Sequence, residues 1–201
     1  MKTCSQKRFL KWARSHGMGL DERYPRSKVL TFKPDPGLDR FWEVPPWPED
    51  RPHFLSMMLY LMGEWESCFV WRHLGSWPGK ADPKRLNSKI ESLIVKAAGV
   101  RRETSGILRF KMSQRYQLVT LLFSTTIFGF TTSDDLYVIP DHAGYILKFD
   151  HHGVVHASFR NEQDLQRFAK GMAEQDYPLP ESVPDDTFKA PVWMKQDDKE
   201  S

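Results

Sequence analysis

The stretch Leu136–Phe159, LYVIPDHAGYILKFDHHGVVHASF, decides how this chain folds. It holds four of the seven histidines: His142 in Asp141-His142-Ala143-Gly144, His151 and His152 in Asp150-His151-His152-Gly153, and His156 just beyond. On the page the cluster resembles a metal site. Read as backbone, each Asp-His-x-Gly is a turn, because Asp bonds its own backbone two residues on and Gly takes φ values other residues avoid. The two turns then bracket one strand, and the segment is a β-meander with strands near 136–139, 145–149 and 154–159.

Register tests this reading. A two-residue His152-Gly153 loop would pair Phe149 with His156 and mix polar and apolar groups on both faces. A three-residue loop, His151-His152-Gly153, pairs Phe149 with Val155, Lys148 with His156, Leu147 with Ala157 and Tyr145 with Phe159. One face then carries Tyr145, Leu147, Phe149, Val155, Ala157 and Phe159. The other carries Ile146, Lys148, Asp150, Val154, His156 and Ser158. A one-residue slip would turn every side chain to the wrong face, so the cleaner separation wins. Gly153 also suits the left-handed position of a three-residue loop. In this register the backbones of His142 and His151 sit at opposite strand ends, roughly 20 Å apart at ~3.4 Å per residue. Metal–nitrogen bonds are about 2 Å, so the four imidazoles do not share one ion. No metal site and no cofactor is expected.

Outward from the meander, helical periodicity recurs. Ser5 caps a helix through Phe9, Trp12 and Ala13 that closes at His16-Gly17. Asp50 and Pro52 open a second, near 51–65, with Phe54, Met58, Leu61, Met62 and Trp65 on one stripe. A third, near 83–98, carries Leu86, Ile90, Leu93, Ile94 and Ala97; residues 114–128 form a fourth; a fifth, near 161–173, begins at the cap Asn161. Val29–Phe32, Cys68–His73 and Ile107–Phe110 read as strands. The six prolines between Lys33 and Pro52 exclude regular helix there, while Phe41, Trp42 and Trp47 among them point to a segment packed on the body. The fold class is therefore α+β: an antiparallel sheet, including a three-stranded meander at about 136–159, packed against several helices. Residues 1–178 are read as one globular domain, with a Trp/Pro-rich first part at 1–79. Residues 179–201 are read as a Pro-rich, acidic and partly disordered tail.

Chemistry is less legible. The chain has 201 residues, two cysteines and a formal charge of +3. Cys4 and Cys68 are far apart and form no CxxC, which argues against a thiolate zinc site and a disulfide framework. The first eight residues lack an apolar signal core, and Leu118–Phe130 is too short to span a bilayer; a cytoplasmic protein without membrane contact is the expectation. Charge is segregated: residues 1–33 hold nine Lys/Arg against two acids and residues 80–115 ten against three. Residues 34–79 hold three against seven, and 130–201 seven against fourteen. The Gly75–Ala81 stretch has neither the spacing nor the hydroxyl of a phosphate loop. Cys68, inside WESCFVW, reads as a small buried hydrophobe.

Three functional readings follow. The leading one is a non-enzymatic interaction protein that binds another macromolecule, a protein before a nucleic acid, through a charged surface; a partner for the acidic 130–201 region would be basic. The second is a metal-assisted hydrolase or nuclease built on Asp150, His151 and His152. The third is an anion or nucleic-acid binder using a basic stripe from residues 84 to 102, with Arg85, Lys89, Ser92 and Lys96 on one helical face and Arg101 and Arg102 extending it. No complete catalytic constellation is present, so the balance falls against an enzyme, and catalytic residues stay unassigned.

Overall fold

The computed structural model describes residues 2–22, 28–72, 77, 92–93, 96–99, 106–128, 135–150 and 152–181. Its elements, in chain order, are β1 (Lys2–Cys4), α1 (Gln6–Ser15), β2 (Met18–Leu20), β3 (Leu30–Phe32), β4 (Asp39–Glu43), α2 (Arg51–Leu61), β5 (Ser67–Arg72), β6 (Ile107–Lys111), a 3-10 turn (Met112–Gln114), α3 (Arg115–Phe128), β7 (Leu136–Pro140), β8 (Tyr145–Phe149), β9 (Val154–Phe159) and α4 (Glu162–Ala173). Seven strands form one sheet in the order β1-β6-β5-β7-β8-β9-β4, and every neighbouring pair is antiparallel. β2 and β3 form a separate two-stranded ribbon. The fold is α+β, as the sequence indicates.

The β8–β9 register is the one selected on facial segregation: Phe149 opposite Val155, Lys148 opposite His156, Leu147 opposite Ala157, Tyr145 opposite Phe159. The Asp150 N–H closes the loop on the Val154 carbonyl at 2.8 Å, and Gly153 takes φ +86°. That left-handed conformation is why glycine stands there.

Alternation along the strands produces two cores. On one face Cys68, Val70, Leu108, Phe110, Val138, Leu147, Phe149, Val155 and Phe159 pack beneath α2, α3 and α4. On the other, Phe69, Trp71, Ile107, Tyr137, Ile139 and Ile146 meet Phe9 and Ala13 of α1 and Met18, Leu30 and Phe32 of the ribbon. β5, covered on both faces, reads as an unbroken apolar run for this reason. Helix ends follow their caps: the Ser5 side chain accepts the Arg8 N–H at 3.4 Å, and the Asn161 side chain accepts the Asp164 N–H at 2.8 Å.

Arg51 fixes how α2 meets α3. Its guanidinium is buried and donates through Nε to the Pro45 carbonyl at 2.9 Å, through Nη2 to Pro46 at 3.2 Å and through Nη1 to Thr126 at 2.5 Å. Burial lowers the pKa of the group. Carbonyls at the C-terminal end of α3 carry partial negative charge, which compensates a cation there. The start of α2 is thereby tied to the end of α3, and the two helices pack along each other. Their opposite ends, near Tyr60 and Tyr116, also come to one side of the molecule.

Several expectations need correction. α2 ends at Leu61, not 65, because Gly63 turns the chain at φ +77°; Trp65 is buried from the loop instead. Asp50 has helical backbone angles and its side chain caps nothing. β4 lies inside the proline-rich stretch read as non-helical and packed on the body; it is an edge strand, which that reading did not specify, and flanking prolines do no harm to the ladder there. Most of the helix expected near 83–98 lies outside the described residues. Where it is described, Ser92 is 2% exposed and Leu93 66%, the reverse of the faces assigned from spacing. The expected tail from 182 onward lies outside the described residues. Among the described residues no helix is long and apolar enough to cross a membrane.

Candidate functional site

The two Asp-His-x-Gly turns stand at opposite ends of β8. At the far turn, the Asp150 carboxylate is 6% exposed. Its Oδ1 accepts the His152 N–H at 2.8 Å and lies 3.1 Å from His152 Nδ1. Its Oδ2 receives Lys148 Nζ at 3.2 Å and is 3.9 Å from His156 Nε2. Lys148 is also 3.7 Å from Asp135. Of the proposed trio, Asp150 and His152 come together, while His151 lies outside the described residues. An ammonium already seated on the carboxylate opposes a metal cation at the same oxygens. Among the described residues no three His, Cys, Asp or Glu side chains could hold a metal ion.

Of the basic stripe, Lys96 is exposed, and Arg85, Lys89, Arg101 and Arg102 lie outside the described residues. Ser92, placed on that stripe by spacing, faces the interior. Cys68 is fully buried; burial, and then the charge of Asp141, push its thiol pKa up, so no thiolate nucleophile forms there.

The near turn is built differently. Asp141 Oδ2 accepts the Ser67 N–H at 2.8 Å and the Ser67 hydroxyl at 3.0 Å, and its own N–H donates to the Ser67 carbonyl at 2.9 Å. His142 Nε2 is 3.1 Å from the Met62 carbonyl, and Nδ1 accepts the Gly144 N–H at 3.1 Å. These partners assign the proton to Nε2 and leave neither ring nitrogen for a metal. His142 is a strap between the β7–β8 turn and the exit of α2.

That strap walls a groove of about 560 Å³ lined by Glu64, Trp65, Glu66, Met112, Asp141 and His142. Three segments build it: the chain leaving α2, the 3-10 turn before α3, and the near turn. Glu64 and Glu66 are exposed and make no ion pair among the described residues, and Asp141 keeps Oδ1 free of partners among them. Trp65 is 4% exposed, yet its indole N–H has no acceptor among the described residues. Tyr60 and Tyr116, 63% and 77% exposed, lie on the same end of the α2–α3 pair. Two cations border the region: Lys111, opposite Ser67 in the ladder, and Arg115, whose guanidinium stacks 5.8 Å from the Tyr116 ring centre.

The histidine pattern contains two lining residues, Asp141 and His142, but does not by itself point to a groove. The local signal is Glu64-Trp65-Glu66, an acid–aromatic–acid triplet inside the acidic 34–79 block, and its partner Asp141 is more than seventy positions downstream. No protein family, no curated protein and no solved structure matches this chain.

Proposed function

We propose that the chain is a non-enzymatic interaction protein that binds another macromolecule through a charged surface, and that this surface is the acidic groove at the end of the α2–α3 pair. One observation carries the reading: Glu64, Glu66 and Asp141, which make no ion pair among the described residues, line a groove that also presents Met112. Like charges left unpaired beside one another repel, and a partner's cation relieves that repulsion. Met112 supplies apolar contact, and exposed Tyr60 and Tyr116 are of the residue type enriched at interfaces. The Asp150 turn supports an enzyme less well, since its carboxylate is occupied by Lys148 and His152.

Retention on immobilised polylysine tests this. The whole protein is net positive, so retention requires a local acidic surface. Glu64→Lys with Glu66→Lys should bring elution to much lower salt. Glu162→Lys with Glu174→Lys, the same net change at the first residue and the C-cap of α4, should alter it little. Equal shifts from both pairs would mean that only net charge matters, and the reading would be lost.

A further inference from the structure

We infer that the groove takes an extended, arginine- or lysine-bearing polypeptide segment of a partner protein, whose cationic side chain meets Glu64, Glu66 and Asp141 while one of its backbone carbonyls accepts the Trp65 indole N–H. The inference rests on the interaction reading above and adds the chemical class of the occupant.

Two independent features select it. The first is charge: three carboxylates with free acceptor capacity line one groove, yet they are not grouped as a metal site, so a large, diffuse cation suits them better than an ion. A guanidinium or ammonium on a flexible stem also lays methylenes on the Met112 surface. The second is the orphaned donor. A buried N–H without an acceptor is costly, so buried indoles are found paired. Trp65 lines the groove and its N–H has no partner among the described residues, so a carbonyl of a bound segment can serve as its acceptor. Met112 shares the wall and is unbranched; it changes rotamer readily and can adapt to an occupant. A free polyamine would satisfy the carboxylates but carries no carbonyl. Nucleic acid would be repelled by them. A polypeptide supplies both groups at once.

The test uses the full chain and a blocked nonapeptide of alternating Arg and Ser, with spermine and the Glu-for-Arg peptide as comparators. Glu64→Gln with Glu66→Gln should weaken both the Arg peptide and spermine about tenfold or more. Trp65→Phe keeps an aromatic ring and removes the N–H; it should weaken the peptide about fivefold to tenfold and leave spermine unchanged. In the wild-type protein the Trp65 indole proton should move downfield on adding the peptide, a readout that stands if the Phe variant folds poorly. A stationary indole signal with unchanged affinity in Trp65→Phe overturns the inference and leaves the interaction reading standing. Spermine binding as tight as the peptide, with no effect of Trp65→Phe, would assign the groove to small cations and equally overturn it. Undiminished binding of both probes to the Gln pair, or equal binding of the Glu peptide, removes both readings together.

Discussion

Asp141-His142-Ala143-Gly144 and Asp150-His151-His152-Gly153 share a pattern of letters and share almost nothing in use. The second turn closes on itself: Asp150 collects His152 and Lys148, and Gly153 supplies the left-handed residue. The first reaches outward, with Asp141 holding β5 at Ser67, His142 holding the exit of α2 at Met62, and Arg160 Nε donating to the Ala143 carbonyl at 2.9 Å. Even the glycines differ. Gly144 is favoured by space, since a Cβ there would stand 3.1 Å from His142 Nδ1 and push on that ring, and the left-handed position falls on Ala143 at φ 55°. A short motif fixes a local turn; what surrounds it decides whether that turn is a hairpin end or the wall of a groove.

The contrast can be broken by substitution, with stability read from urea midpoints. The largest effect belongs to Asp141→Ala, which leaves the N–H and hydroxyl of buried Ser67 without their acceptor and should cost about 2–3 kcal/mol. Gly144→Ala forces a Cβ against the His142 ring and should cost about 2 kcal/mol, whereas Gly153→Ala, with open space around it, should show only the backbone penalty of about 1 kcal/mol. His142→Ala should cost about 1–2 kcal/mol, as both ring nitrogens hold backbone groups, against less than about 1 kcal/mol for His152→Ala. Equal losses from the two histidine variants would erase the distinction. Ala143→Gly should stabilise slightly, by about 0.5 kcal/mol, through relief of the positive φ.

A pH prediction concerns the tyrosines on either side of these turns. Burial raises the Tyr145 phenol, whose oxygen sits between Asp164 and Arg167, and raises Tyr137 further, with Asp135 adding to the effect. Both folded pKa values lie above the unfolded one, so the folded state holds the proton more tightly. Their contribution is full below about pH 10, the unfolded tyrosine value, and is lost as pH rises through the folded values. Unfolding free energy should be flat in this respect near neutrality and fall above pH 10; Tyr145→Phe should make that fall shallower.

The sheet's centre was legible because three signals agreed: alternation, turn chemistry and the facial segregation that selected one register. β1 and β2 were not, since three residues carry no period. β4 was hidden by prolines on both sides, which mark a sheet edge as readily as a loop. The length of α2 was overread because Trp65 fits the helical spacing, yet a loop buries it just as well. The groove escaped for a different reason. Glu64, Glu66, Met112 and Asp141 come from three segments whose meeting depends on antiparallel packing of α2 on α3 and on the His142 strap, and no single window of sequence contains that. The histidines drew notice as ligands; at His142 the nitrogens serve backbone.

The most direct measurement is an amide and indole NMR titration of the full chain with the Arg–Ser nonapeptide. Signals from residues 64–66, 141–144 and the Trp65 indole should move together and saturate, while those of 150 and 152–153 stay in place. Shifts confined to the Asp150 turn, or none at either turn, would contradict the assignment of the near turn to a binding surface.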